Sequence, residues 1–127
     1  MTIRRFDHVA IPIQRVDEML AFYEKLGFTA KSHGPFHSVH LSDSKINFHA
    51  PEAWQSSRFD LRGPTARPGC GDFCFVWDGS VDEIVAKLGE LGIQIIEGPV
   101  ERAGGQAIGT SVYVRDPDQN LLEFIVY

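Results

Sequence analysis

The chain is poor in cysteine, in positive charge and in long apolar runs, and each shortage argues against a class of protein. Only two of its 127 residues are cysteines, so we expect no disulfide framework and reduced thiols in the cytoplasm. The net charge of -5 offers no basic stripe to neutralise phosphates, which argues against a nucleic-acid partner. No apolar run approaches the roughly 20 residues of a spanning helix, and the N-terminus lacks a signal-peptide core, so we expect no membrane partner.

The chain instead contains two stretches that resemble copies of one unit. The first runs from FDHVAIPI through LAFYEKLGF to KINFHA, and the second from GDFCFVW through IVAKLGELGI to NLLEFIV. His8 in the first copy matches Asp72, 64 residues later, and His49 and Glu123 stand near the end of the last strand of each copy. The repeat predicts one domain of two modules, about residues 1–50 and 72–127, joined by a linker of about 51–71.

Hydrophobic periodicity predicts the order βαβββ in each module, which is an α+β fold. In the first module we expect a strand over 3–11, a helix that Asp17 caps and Gly27 ends, and strands near 28–33, 36–42 and 45–50. In the second we expect a strand near 72–77, a helix near 80–91, and strands over 93–99, 106–115 and 120–127. If the paired modules form a curved mixed sheet with the helices outside, the result is a cup with a polar centre.

Four residues of the metal-ligand type are predicted on the strand face that points away from the helices. They are His8, His49, Asp72 and Glu123, placed there because side chains alternate with a period of two. Two imidazoles with one or two carboxylates suit a divalent cation, namely Fe, Mn, Ni, Co or Zn. Each residue alone is more often a surface or hydrogen-bonded side chain, so the prediction rests on the coincidence of face and repeat. Asp72, whose side chain is short, is either a ligand or a group that orients a ligand imidazole.

Further residues on the same face are expected to line a pocket. His40 and Asn47 share this face in the first module, and Cys74 shares it in the second, although a small buried thiol is the simpler interpretation of Cys74. Tyr113 is a candidate catalytic residue because its phenol can supply a proton. Glu123 is the second candidate, since a carboxylate beside a metal can move a proton between adjacent carbons.

Two segments carry a family resemblance. FDHVAIPI followed by FYEKLGF resembles the opening of the vicinal oxygen chelate superfamily, and VYVRDPDQNLLEF is similar to its closing signature. KINFHA, PGCGDFCFVW and EGPVERAGG most resemble the small proteins grouped as glyoxalase domain-containing protein 5. The superfamily contains glyoxalase I, extradiol dioxygenases and bleomycin resistance proteins. The resemblance implies paired βαβββ modules curved around a divalent metal.

The sequence also departs from the superfamily pattern. Pro12 and Ala53 stand where glyoxalase I has the Arg and Asn that hold glutathione, so a glutathione site is not expected. His49 stands where glyoxalase I usually has Glu, and Asp72 where it usually has His. The closing signature usually has Gly at the position of Gln119, and we expect Asn120 to adopt a left-handed conformation in compensation.

The residues and the resemblance together support two hypotheses. The first is a metal-dependent enzyme, a lyase, isomerase or dioxygenase, that acts on a small molecule with vicinal oxygens. The alternative is a binding protein of the bleomycin-resistance type, which sequesters a small molecule without turnover. Because open sheet edges invite association, we also expect a C₂ homodimer. Each cup is then either closed within one chain or, in the arrangement we favour, built from one module of each chain.

Overall fold

The computed structural model describes residues 2–127 and contains two compact units, the first ending at Cys70 and the second beginning at Gly71. The first unit has β1 His8–Pro12, α1 Val16–Lys25, β2 Thr29–His33, β3 Phe36–Leu41, β4 Ser44–His49 and α2 Pro51–Trp54. The second has β5 Asp72–Val76, α3 Val81–Glu90, β6 Glu97–Ala103, β7 Ile108–Arg115 and β8 Leu121–Val126. The predicted α+β class and the βαβββ repeat are confirmed.

The first sheet has the strand order β1-β4-β3-β2, in which β1 runs parallel to β4 and the other pairs are antiparallel. Its core forms against α1, where the buried Tyr23 ring lies 5.2 Å from the Phe48 ring at an edge-to-face angle. Val39 and Ile46 share the side of Phe48 and are also buried. Because side chains alternate along a strand, the neighbours of these three residues lie on the opposite, helix-free face.

The start of α1 differs from the prediction. Arg15, not Asp17, is the N-cap residue, and no side chain caps the helix. Asp17 lies inside the first turn, where its negative carboxylate interacts favourably with the positive end of the helix dipole. The helix end is as expected, because Gly27 follows Leu26 with φ of 105°, a left-handed conformation that glycine adopts without steric cost.

The second sheet repeats this arrangement with the order β5-β8-β7-β6. Ser80 begins α3 with a capping box, in which its hydroxyl accepts from Glu83 N and the Glu83 carboxylate accepts from Ser80 N. The apolar side of α3 buries Ile84 and Leu88. On the sheet, the buried residues Val112, Val114, Leu122 and Phe124 share one face by register, so the remaining positions form the helix-free face of this unit.

Three predicted segments differ from the structure. The first strand, expected over 3–11, spans His8–Pro12. The strand expected at 93–99 lies instead at Glu97–Ala103, where its pairing with β7 changes register between Glu97 and Val100. The break includes Pro99, which has no N–H to donate to a ladder. The predicted linker contains the short helix α2, and Trp54 of that helix donates its indole N–H to the Ile13 carbonyl at 3.0 Å. The start of the linker therefore packs as part of the first unit.

The turn before β8 also corrects the prediction. Gln119 itself adopts the left-handed conformation, with φ of 73°, so Asn120 does not take this role. Asn120 is instead fully buried and serves as a hydrogen-bonding hub. Its side-chain amide donates to Asp116 Oδ2 at 2.8 Å, and its side-chain oxygen accepts from Gly71 N at 2.8 Å. The asparagine therefore ties the turn to the residue that precedes β5.

Candidate functional site

Strand pairing defines which residues share the helix-free face of the first sheet. Residues that stand opposite one another on the four strands form rows across this face. The first row is His8, Lys45, His40 and Thr29, and the next is Ala10, Asn47, Ser38 and Lys31. Pro12, His49, Phe36 and His33 form the third row. The predicted face is therefore observed for His8, His40, Asn47 and His49.

His8 has the surroundings of a potential metal ligand. Its Nδ1 lies 2.6 Å from Asp7 Oδ1, and this hydrogen bond is the largest cause that lowers the pKa of the Asp7 carboxyl, followed by the charge of His8. Ligand imidazoles usually donate their second ring nitrogen to a carboxylate, which fixes the tautomer and leaves the other nitrogen as an acceptor. With Nδ1 paired in this way, Nε2 of His8 can serve as the ligand atom.

The register separates His49 from His8. His8 stands opposite Lys45, whereas His49 stands opposite Pro12, four residues or about 13 Å further along the sheet. In the second unit Asp72 stands opposite Leu121, and Glu123 is only two residues beyond that partner. The counterpart of Glu123 in the first unit is therefore Asn47, two residues beyond Lys45. The match between His49 and Glu123 in the sequence repeat is offset by two residues, and the structure does not bring His8 and His49 together.

His49 is instead enclosed by aromatic rings. Its imidazole lies 5.0 Å from the Phe59 ring and 5.6 Å from the Phe36 ring, both at edge-to-face angles, and the residue is 8% exposed. The two phenyl rings also contact each other at 5.3 Å. Burial, and secondarily the positive charge of Arg62, lower the pKa of His49 below its ordinary value of 6.5. His49 is therefore a neutral imidazole at pH 7.

We expect Phe59→Ala to raise the pKa of His49 toward 6.5, because the substitution removes the ring that covers the imidazole. An NMR titration of metal-free protein measures the shift, with Phe59→Leu as the variant that retains burial and Leu61→Ala as the exposed control. Because the pKa of His49 is lower in the folded state, the unfolded chain binds more protons as pH falls. The contribution of the neutral, enclosed His49 to folding stability is therefore present above pH 6.5 and lost at lower pH. An unchanged His49 titration in Phe59→Ala contradicts the account.

A cavity of about 180 Å³ opens beside His49 in the first unit. Its polar lining comes from His33, His37, Ser38, Lys45, Asn47 and His49. The prediction that Asn47 lines a pocket agrees with this lining. His40 does not line the cavity but adjoins it, because its Nε2 lies 2.8 Å from the Ser38 hydroxyl oxygen.

In the second unit, polar groups gather around Glu123. The buried Ser111 donates its hydroxyl to Glu123 Oε2 at 2.6 Å. Tyr113 stands directly opposite Glu123 on β7, and Cys74 stands opposite it on β5. Asp72 shares this helix-free face, two residues from Cys74, and is exposed. The carboxylate of Glu123 is thus held in place by Ser111 and adjoins two further proton donors.

Tyr113 has a cationic partner that the sequence did not suggest. Arg102 Nε donates to the Tyr113 hydroxyl at 3.0 Å, and the guanidinium carbon lies 5.6 Å from the centre of the tyrosine ring. Burial is the largest cause that raises the pKa of Tyr113; the charge of Glu123 raises it further, while the hydrogen bond from Arg102 opposes both. The phenol therefore stays protonated at neutral pH and can act as a proton donor.

Burial raises the pKa of the Cys74 thiol to about 11, and the negative charges of Glu123 and Asp72 add to the effect. We expect Cys74, in a Cys70→Ser background, to react with iodoacetamide at pH 8 about 100-fold more slowly than a thiol of ordinary pKa, because only the thiolate reacts. The rate should rise with pH toward about 11. Both cysteines are exposed as residues, so Cys74 is not the fully buried thiol considered from the sequence. The Cys74→Ser variant reports Cys70 for comparison, and an inflection at or below pH 9 for Cys74 refutes the assignment.

Within residues 2–127, no group of three or more His, Cys, Asp and Glu side chains lies close enough together to hold a metal ion. The donor chemistry of each unit taken alone nevertheless fits part of a metal site. The first unit offers His8 with its carboxylate partner, and the second offers Glu123 with Asp72 on the same face. The described residues also include no helix with the length and apolar character needed to cross a membrane.

Several residues around these groups were missed by sequence reasoning. Asp7 is adjacent to His8 in the sequence, and that pairing was a usable signal. Ser111 shares its strand parity with Tyr113, so its place on the same face could also have been predicted. The roles of Arg102 and Phe59 depend on a strand register and a loop path that no local pattern encodes.

Comparisons with known proteins agree with this architecture. The family pattern described as the Glyoxalase/Bleomycin resistance protein/Dioxygenase superfamily matches residues 5–124. Glyoxalase domain-containing protein RDO1 of Mycosarcoma maydis is 34% identical over 128 residues, covering all of this chain and 70% of that protein.

Two solved structures have a similar fold. The crystal structure of virulence protein STM3117 from Salmonella typhimurium has a TM-score of 0.89 at 34% identity and covers 100% of this chain and 99% of that one. Lactoylglutathione lyase from Agrobacterium tumefaciens has a TM-score of 0.76 at 21% identity, over 98% and 95% of the two chains, and this similarity shows the fold alone. The chain therefore belongs to the Glyoxalase/Bleomycin resistance protein/Dioxygenase superfamily.

Proposed function

We propose that the protein is a divalent-metal-dependent enzyme acting on a small molecule with vicinal oxygens. His8 of the first unit and Glu123 of the second serve as ligands, and Asp72 is a further ligand or orients one. The observation that carries this proposal is that each main candidate has an orienting hydrogen bond, His8 with Asp7 and Glu123 with Ser111. Such partners fix ligand side chains in metal sites.

The protein groups have separate roles in this proposal. When bound, the metal would hold two adjacent substrate oxygens and stabilise the negative charge that develops on them. Glu123 moves a proton between adjacent carbons, and the Ser111 hydroxyl keeps its carboxylate in position. Tyr113 donates a proton from its phenol, which Arg102 holds in place. His49 is part of the pocket wall rather than a ligand.

An activity screen of the metal-reconstituted protein tests the reaction class. Hemithioacetals and catechols are the substrates, Fe, Mn, Ni, Co and Zn are the metals, and Glu123→Gln is the matched inactive variant. Metal-dependent turnover that Glu123→Gln loses supports the proposal. We expect the glutathione hemithioacetal to react poorly, with kcat/KM below roughly 10⁴ M⁻¹s⁻¹. Pro12 and Ala53 are buried in the first unit and offer no charged partner for a glutathione carboxylate.

A specific observation also favours the alternative, a small-molecule binding protein of the bleomycin-resistance type without catalysis. His49 lies away from His8, so the first unit presents one ligand imidazole on this part of its face rather than two. Under the alternative, the protein binds a small molecule in the absence of metal and shows no turnover with any of the five metals. Metal-dependent turnover excludes it.

We further infer that the protein forms a C₂ homodimer. β1 and β5 stand at the ends of the strand order in their own sheets, and Val9 and Val76 on these strands are 37% and 58% exposed. A strand with a free edge and exposed apolar side chains favours pairing with another chain. We propose that the partner chain covers these edges, so that His8 of one chain serves the same site as Glu123 of the other.

Two measurements test the dimer. Light scattering across a concentration series should give twice the 14.2 kDa mass of one chain, and a monomer at high micromolar concentration refutes the assembly. Mixing His8→Ala chains with Glu123→Ala chains then distinguishes shared from separate sites. A shared arrangement restores one intact metal site in each mixed dimer, whereas sites built within one chain restore none.

A further inference from the structure

The helix-free face of the first sheet is cationic in a chain that is acidic as a whole. Acidic residues outnumber lysine and arginine by 17 to 12 in the sequence, yet β2, β3 and β4 contain no carboxylate at all. Lys31 and Lys45 lie on this face among hydroxyl, amide and imidazole groups. The face therefore presents many hydrogen-bond donors, and none of these three strands contributes a negative charge that would compete for them.

The charges of Lys31 and Lys45 both act on His40. His40 stands opposite Lys45, and Ser38, whose hydroxyl contacts the His40 ring, stands opposite Lys31. Burial first, and then the charges of Lys31 and Lys45, lower the pKa of His40, so both ammonium groups are close enough to affect it.

Neither lysine has a carboxylate partner of its own in the part of the chain that the structure describes. Within residues 2–127, neither lysine forms an ion pair with a carboxylate. The hydrogen bond from His8 is the largest cause that lowers the pKa of the Asp7 carboxyl, and the charge of Lys45 is the last of the causes, so this carboxylate is already engaged by His8. The positive charge is therefore available to a ligand.

The cavity beside this face has the size of a ligand group rather than of a whole ligand. Its volume of about 180 Å³ corresponds to about six water molecules and is below the range of a complete drug-sized pocket. Lys45, Ser38 and Asn47 line it with an ammonium, a hydroxyl and an amide, and His33 and His49 add imidazole rings. Such a lining suits a compact group that accepts several hydrogen bonds and carries negative charge.

We propose that this cavity binds the oxyanion group of a small-molecule ligand, a carboxylate or a phosphate-type group, through Lys45 with Ser38 and Asn47 as additional donors. Lys31, which stands opposite Ser38 outside the lining, adds to the positive charge. The inference rests on the proposed small-molecule function, since it assigns the charged part of that ligand, but it does not depend on the metal. It excludes neutral ligands of similar shape from tight binding and places the anionic group between His49 and Lys45, the residue that stands opposite His8.

NMR titration of the metal-free protein at low ionic strength tests the proposal. Acetate, methylphosphonate and inorganic phosphate are the probes, with acetamide as the neutral match for acetate. We expect saturable amide shifts at Ser38, His40 and Asn47 with the anions and none with acetamide. A stronger response to acetate identifies a carboxylate ligand, and a stronger response to the other two identifies a phosphate-type ligand.

Lysine variants distinguish specific anion binding in the cavity from non-specific electrostatic attraction. Lys45→Gln should weaken anion binding about tenfold or more, because a hydrogen bond to a charged group is lost. Lys31→Gln should weaken it less, because only a nearby charge is removed. Lys25→Gln, at the exposed end of α1, removes the same charge elsewhere and should leave binding unchanged. Absence of saturable shifts, equal shifts with acetamide, or an equal loss in Lys25→Gln overturns the proposal. Because the protein is metal-free, failure of metal binding does not alter this result.

Discussion

Replacing Glu123 by alanine should lower the affinity of the protein for a divalent metal by at least about 100-fold. Substitution of a group that merely orients a ligand already costs about 10–100-fold, and loss of the ligand itself costs no less. Ser111→Ala removes only the 2.6 Å hydrogen bond that holds the carboxylate, so its loss should be about tenfold. Isothermal calorimetry with Mn, Ni and Zn measures both affinities.

Two further substitutions make the metal series specific. His49→Ala should leave metal affinity unchanged, because His49 stands opposite Pro12 and its ring packs against Phe59. Glu90→Ala removes an exposed carboxylate at the end of α3 and controls for the change in net charge. If His49→Ala loses the metal and Glu123→Ala retains it, the assignment of ligands is wrong. Circular dichroism verifies that each variant is folded.

Asn120→Ala should lower the free energy of unfolding by about 3 kcal/mol. The asparagine is fully buried, and the substitution removes both the acceptor of Gly71 N–H and a 2.8 Å hydrogen bond to the buried Asp116 carboxylate. Each buried polar group that loses its partner costs about 1–3 kcal/mol. A loss of this size changes the unfolding equilibrium by more than about 100-fold.

Urea unfolding measures this loss as a lower midpoint at an unchanged slope. Gln119→Ala is the matched control in the same turn, because its side chain is exposed and alanine retains a non-glycine residue at φ of 73°. We expect its effect to stay within about 0.5 kcal/mol. A loss below about 1 kcal/mol in Asn120→Ala shows that the link between the turn and Gly71 contributes little.

Local patterns predicted the fold because they agree with the packing. The repeat, the alternation in KINFH and LLEFIVY and the left-handed Gly27 each correspond to an observed element. The strand expected at 93–99 was misplaced because a β-branched run there suggested pairing, whereas the ladder with β7 extends from Glu97 to Ala103. Propensity favours a strand, but only its partner fixes where the pairing begins.

The sequence predicted which face of the sheet each candidate residue occupies, but not which of these residues are neighbours along the strands. Parity placed His8, His40 and His49 on the helix-free face, as observed, since it depends only on alternation. Whether two such residues are neighbours depends on the register between β1 and β4, which the sequence does not encode locally. The enclosure of His49 by Phe59 depends in addition on the path of residues 55–70.

Element analysis of the wild-type protein after reconstitution with Fe, Mn, Ni, Co and Zn tests the central claim most directly. We expect one divalent ion per chain with at least one of these metals, retained through gel filtration, because His8 and Glu123 are the proposed ligands. Metal content near zero with all five contradicts a metal-dependent enzyme and leaves the small-molecule binding protein as the function.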